Sequence, residues 1–240
     1  MEEKKKTRRM SRGKCSFCGG PFSKGAMTRH LKSCKQRKGD LETLSAQPNP
    51  HKTKIFHLVV EGRWQPDYWI HLEVGADVSL ISLDSFLRDI WLECCGHMSA
   101  FVIEGQQYVS TGPFGYALEW QQDMEEVELG KTLFPGMKFY HDYDFGTTTQ
   151  LKLRVLSERE GVMGDDRVRL LARNDPPPIP CGVCGKLATQ VCLECAWSGE
   201  GWLCDDCADD HECDEDMFLP VVNSPRVGMC GYTGSTATHQ

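Results

Sequence analysis

The sequence predicts an α+β protein. A central mixed, largely antiparallel sheet domain with one main amphipathic helix is expected between two small zinc-stabilised modules. Three observations carry this. Strand-period and helix-period apolar patterns are concentrated between about residues 54 and 160. Cys/His groups with metal-ligand spacing sit on either side. Pro-containing stretches separate the three parts.

The central patterns run in a definite order. Ile55 to Val60 is an apolar, β-branched run, and Tyr68 to Val74 sets Trp69, His71 and Glu73 against Ile70, Leu72 and Val74, which is strand periodicity. Ser79 can cap a helix whose stripe is Leu80, Leu83, Leu87, Ile90, Trp91 and Cys94, stopped by Gly96. Phe101–Ile103 and Tyr108–Ser110 are short strands around a turn at Glu104–Gln107. Met137–Tyr143 and Gln150–Ser157 form a hairpin through Gly146. The expected division is a disordered basic tail at 1–14, a zinc finger at 15–38, a linker at 39–53 and the α+β domain at 54–160. A stiff Pro-rich spacer at 161–180, a cross-braced zinc module at 181–216 and a tail at 217–240 complete it.

Cys15-x2-Cys18-x11-His30-x3-Cys34 has the ligand types of a single zinc finger: a Cys-x2-Cys knuckle, then His30 and Cys34 four apart on one helix face. Phe22 and Met27 supply a miniature core, and Ser23 can cap the helix. So short a segment needs metal to fold. It resembles the two-Cys, two-His finger with the last His replaced by Cys, and has one residue's difference in the Phe22–Met27 spacing.

The second group is Cys181, Cys184, Cys192, Cys195, Cys204, Cys207, His211 and Cys213. Three Cys-x2-Cys knuckles with a His and a Cys give eight ligands, enough for two ions. The spacing resembles cross-braced B-box and MYND modules. A B-box-like arrangement pairs Cys181, Cys184, Cys204 and Cys207 on one ion, and Cys192, Cys195, His211 and Cys213 on the other. Cys230 or Asp210 is an alternative eighth ligand to Cys213. A redox Cys-x2-Cys pair fits less well, since such a motif occurs once rather than three times. Up to three structural Zn²⁺ ions are therefore expected.

Charge is segregated. Residues 1–40 hold thirteen Lys/Arg against three acids, net +10; the remainder holds fourteen against thirty-one, net −17. A basic arm on an acidic body suits a chain that meets DNA or RNA phosphates through residues 1–38. Asp205, Asp206, Asp209, Asp210, Glu212, Asp214, Glu215 and Asp216 make residues 181–216 acidic, which points there to a protein partner. No apolar run reaches the roughly 18 residues of a membrane span. The Lys/Arg-rich start lacks a following apolar stretch, so no secretory leader is expected. Thirteen cysteines without such a leader read as metal ligands or free thiols in a cytoplasmic protein.

Several blocks of the central segment occur in a familiar order: Trp69 in YWIHLEV, the helix SLISLDSFLRDIWLECC, Gly96-His97-Met98-Ser99-Ala100-Phe101, and Phe139 to Gly146 (FYHDYDFG). They resemble the plasmid pRiA4b ORF-3-like family, found on plasmids, mobile elements and chromosomes. His97 and Phe101 match its His-x-x-x-Phe block, and Tyr143 to Gly146 its Tyr-Asp-Phe-Gly-Asp signature; Thr147 stands here where that family has the final Asp. The resemblance implies a compact α+β domain and no established activity.

An enzyme would draw on His57, His71, His97, His141, Asp142 and Asp144, as in a hydrolase acting on nucleic acid between the strand of His71 and the hairpin of His141 and Asp144. Each residue has a plainer reading: sheet face for His71, helix end for His97, turn for Asp144. The Asp-Phe-Gly string lacks a kinase's Gly-rich loop and catalytic loop. Cys94 and Cys95 end an apolar helix and read as buried thiols. The function expected is thus a non-enzymatic, zinc-binding adaptor that contacts nucleic acid through its N-terminal finger and a protein through its C-terminal module. A purely protein-binding module is the third possibility.

Overall fold

The computed structural model describes residues 11–110, 121–164 and 166–235; most of the expected basic tail (1–10) and the last five residues lie outside them. The chain is a mixed α+β protein built on a large, mostly antiparallel sheet. A short hairpin, β1 (Arg12–Cys15) and β2 (Pro21–Ser23), leads into α1 (Lys24–Ser33) and α2 (Lys35–Ser45). The two helices are separated by Cys34, whose extended backbone (φ −60°, ψ 119°) interrupts them. Next come β3 (Lys52–Gly62), β4 (Trp69–Gly75) and α3 (Leu80–Leu87), whose last turn widens into a π-turn over Arg88–Leu92. The sheet continues with β5 (Ser99–Ile103), β6 (Gln106–Val109) and β7 (Gln122–Asp123). After the short α4 (Leu129–Thr132) it is completed by β8 (Lys138–Tyr143), β9 (Thr149–Val162) and β10 (Val168–Asn174). Strand order is β2-β1-β10-β4-β3-β9-β8-β5-β6-β7, and among the described residues only β6–β7 is parallel.

Alternation sorts the strands' side chains onto two faces. Phe56, Leu58, Val60, Ile70, Leu72, Val74, Phe139, Leu151 and Leu153 pack under Leu80, Leu83, Leu87, Ile90 and Trp91 of α3 and its π-turn. Each such side chain contributes about 1.5–3 kcal/mol by leaving water. Ser79 and Ser23 precede their helices as expected but make no capping bond through their side chains.

The finger is not a separate module. β1 pairs antiparallel with β10, Gly13 opposite Asn174 and Cys15 opposite Ala172, so the finger hairpin extends the main sheet. Met27 and Leu31 of α1 pack with Trp69, Leu171 and Ala172 on the sheet face opposite α3. β10 carries an extra residue between Leu170 and Ala172 relative to β4. This bulge lets consecutive Leu171 and Ala172 both join the finger's apolar cluster. The approach is tight: a Cβ on Gly13 would fall 2.2 Å from the Arg173 carbonyl oxygen. Only glycine permits that contact.

Two expected connectors are therefore structured. Within 39–53, α2 runs to Ser45 and β3 begins at Lys52. Within 161–180, β10 occupies Val168–Asn174, leaving only the proline run as a spacer. In both places contact with the sheet gives order that local composition does not signal.

The C-terminal unit has its own small sheet, ordered β12-β11-β13, from β11 (Gln190–Cys192), β12 (Trp202–Leu203) and β13 (Phe218–Pro220), with α5 (Asp205–Asp209) following β12. The chain then returns to the main domain. Val227 joins the core, Ser224 Oγ donates to the Trp91 carbonyl (2.7 Å) and Arg226 is fully buried.

Candidate metal centres

Four groups of Cys and His side chains have ligand atoms within 4.8 Å of one another and could hold metal ions. All thirteen cysteines are free and all fall in these groups. The first is Cys15, Cys18, His30 and Cys34. The knuckle is shaped by turn bonds, Gly19 N–H to the Cys15 carbonyl (2.9 Å) and Cys15 N–H to that of Gly20 (3.1 Å). α1 delivers His30, stacked on Phe22 at 4.0 Å, and ends at Cys34. The Cys18 Sγ to His30 Nε2 separation is 3.3 Å. A tetrahedral ion with bonds of about 2.0–2.3 Å sets its ligands roughly 3.5–3.8 Å apart. The observed edge is near that value.

The C-terminal unit holds two groups, Cys181/Cys184/Cys204/Cys207 and Cys192/Cys195/His211/Cys213, interleaved along the chain. Cys184 and Cys204 sulfurs lie 3.5 Å apart, Cys195 and Cys213 sulfurs 3.7 Å. Cys213 sits with His211, while Cys230 lies elsewhere and Asp210 in neither group. The buried Nε2 of His211 makes no hydrogen bond, which leaves a lone pair for a ligand bond. Gly201 makes the packing possible: a Cβ there would come within 2.4 Å of the Ala196 nitrogen. All twelve side chains singled out from spacing are thus gathered into three groups of four.

The fourth group, Cys94, Cys95, His97 and Cys230, was missed. Cys94 is half-buried and Cys95 exposed, which corrects the reading of both as buried thiols. The local signal was Cys-Cys-x-His. Its fourth member is 135 residues from Cys95, beyond any spacing rule.

The candidate hydrolytic residues do not gather into one site; they fall into separate contacts. His71 lies under the finger, fully buried, with Nδ1 3.0 Å from His57 Nε2. Burial pushes His57 down to about 4 and His71 to about 3, so both are neutral at pH 7. His141 pairs instead with Asp84 on α3, at 2.6 Å. Asp84 also accepts from Ser99 Oγ and Arg88 Nε, each at 2.6 Å. Burial would raise the Asp84 pKa, but these bonds and charges hold it below the usual carboxylate range. Ser99, His141 and Asp84 are the residue types of an acyl-transfer triad, with different wiring. Serine and histidine both bind the same carboxylate oxygen, so His141 is not placed between them as base. His141 is fully buried as well. Asp142 accepts from Gln150 (3.0 Å), and Asp144 from Arg226 (2.8 Å) with His97 3.5 Å away.

The second sheet face stays open beside the finger. Lys24, Gly25 and Thr28 of α1, with Val59, Glu61, Lys138, Lys152 and Arg154, line one cleft. Glu61 pairs with Lys24 and, at 2.6 Å, with Lys152. Lys138 and Arg154 are exposed and make no ion pair among the described residues. Tyr140 follows on the same face with the Arg63 guanidinium 4.5 Å from its ring, and Trp64 beside it is 75% exposed.

Among the described residues no helix is long and apolar enough to cross a membrane. No family model matches the chain, and no curated protein matches it. Among solved structures, a protein of unknown function from Methanosarcina mazei Go1 is similar at 16% identity, with 50% of this chain and 68% of that one covered and a TM-score of 0.43.

Proposed function

We propose that this chain is a non-enzymatic, cytoplasmic zinc protein that grips nucleic-acid phosphates on the open sheet face beside its finger. Three closed groups of three or four thiols, completed by an imidazole in two of them, suit tetrahedral zinc held for structure, with no position left for reacting water. The observation that carries the nucleic-acid reading is the cleft between α1 and the sheet. It sets four cations against one carboxylate, next to Tyr140 and Trp64. Cations with exposed aromatic rings are what a strand of phosphates and bases requires. Exposed Arg29 and Lys32 on α1 extend the charge.

The central domain we read as pRiA4b ORF-3-like. In support, the two motif blocks lie side by side: β5 pairs with β8, Ser99 opposite Tyr143 and Phe101 opposite His141.

The test is fluorescence anisotropy with labelled DNA and RNA across salt concentrations. About four phosphate contacts give log K falling with log salt at a slope of roughly −3 to −4. Lys152→Glu with Arg154→Glu is expected to weaken binding at least tenfold and flatten the slope. Deleting 1–38 is a poor substitute, because it would uncover Trp69 and β10. Binding that ignores both salt and the double variant refutes the reading. A purely protein-binding role is favoured by Val183, Leu187 and Trp197, which are 61–79% exposed on the acidic C-terminal unit. It stands if metal binds and nucleic acid does not.

A further inference from the structure

We propose that Cys94, Cys95, His97 and Cys230 bind a fourth thiophilic divalent ion, zinc by ligand type, as a clasp that ties the C-terminal tail to the central domain. The separations are those of one coordination shell. Cys94 and Cys95 sulfurs lie 3.6 Å apart, Cys95 and Cys230 3.8 Å, and His97 Nε2 is 3.0 Å from Cys95 and 3.2 Å from Cys230. Sulfurs on one tetrahedral zinc stand about 3.8 Å apart. Three thiols and an imidazole, from two segments more than 130 residues apart, have no packing reason to meet on a surface. Cys95 and Cys230 are exposed.

The backbone is arranged for the meeting. The π-turn ends at Leu92, and the Glu93 carboxylate accepts from Gly96 N–H (2.5 Å) and Tyr143 Oη (3.1 Å), which fixes the Cys94–His97 turn. Gly96 takes φ +75°, and Cys230 takes φ +46°, a left-handed conformation that costs a side-chain-bearing residue about 1 kcal/mol or more. Arg226 holds the tail in place. Its buried guanidinium donates to Asp144 (2.8 Å), the Thr147 carbonyl (3.2 Å) and Thr149 Oγ1 (3.1 Å). It also donates to Cys94 Sγ at 3.3 Å, tying the tail directly to the Cys94–His97 turn. The chain between His97 and Cys230 includes the whole cross-braced unit, so the clasp closes the loop that carries that unit. Each of the other groups has at least one buried cysteine; this one has none, so its ion is the first open to a chelator. The clasp is independent of the nucleic-acid reading.

The test is the metal count of the full, reduced chain by native mass spectrometry. Four ions are expected in wild type, and three in Cys230→Ala, in Cys95→Ala and in the double variant. Graded chelator should release one ion from wild type ahead of the rest, and this early step should be missing in Cys230→Ala. Limited proteolysis of the tail should quicken in step with that first release. Three ions in wild type, unchanged in Cys230→Ala, overturn the proposal while leaving the other three groups standing. Four ions in every variant, or loss of two or more from each, overturn it as well. A chain with no ions defeats the reading of all four groups.

Discussion

Replacing Asp84 by Ala tests whether the buried network around it is structural. The carboxylate is about 1% exposed and accepts three bonds, from Arg88, His141 and Ser99. Without it Arg88 keeps Glu93, the His97 carbonyl and Ser99. His141 keeps nothing: it is fully buried, its Nδ1 already lacks a partner, and Nε2 would lose its only one. Removing the carboxylate that Arg88, His141 and Ser99 share in this buried network costs about 3–5 kcal/mol. For a chain of 240 residues that corresponds to a Tm about 6–10 °C lower. Asp84→Asn keeps an acceptor and should lose about half as much. The assay is thermal and urea unfolding by circular dichroism with zinc in excess, with the metal count checked to show that the ligand groups are intact. An Asp84→Ala protein within about 1 kcal/mol of wild type would show that the pair does not carry the sheet–helix contact, and would reopen a catalytic reading of His141.

Two further outcomes are expected. His57 and His71 are held neutral in the folded chain, with pKa values near 4 and 3 against an ordinary 6.5. The unfolded chain therefore binds more protons, and stability is full above about pH 6.5 and falls as pH drops toward 4. The slope is roughly 1.4 kcal/mol per pH unit for each histidine. His57→Leu should remove about half of this, read as the difference in urea midpoints between pH 7.5 and 5.5; identical slopes would count against the burial argument. Gly13→Ala should lower stability by about 1–3 kcal/mol, because the Arg173 backbone cannot yield to a Cβ at 2.2 Å. Faster amide exchange across β10 should accompany it, and unchanged exchange there would place the strain elsewhere.

Much of the fold was legible where period and face agree. YWIHLEV alternates and is β4; the stripe from Leu80 to Trp91 is α3 and its π-turn. Elsewhere the determinant was tertiary. Leu170, Leu171 and Ala172 read as no strand because the bulge breaks their alternation. His71 read as a polar-face residue because nothing local shows that α1 will cover it. The three predicted ligand groups were visible because metal sites use short knuckles. Asp84 and His141 are 57 residues apart and meet only once α3 lies on the sheet, and Cys230 finds Cys95 only after the tail has returned.

The pairing of β1 with β10 has a consequence for how the chain meets metal scarcity. A finger that hangs on a tether can unravel harmlessly. Here its loss would bare the backbone donors and acceptors along one border of a ten-stranded sheet, together with Trp69 and Leu171. Such a border is a template for intermolecular strand addition. Loss of the finger's ion would then show itself as aggregation, well before the interior of the sheet has melted.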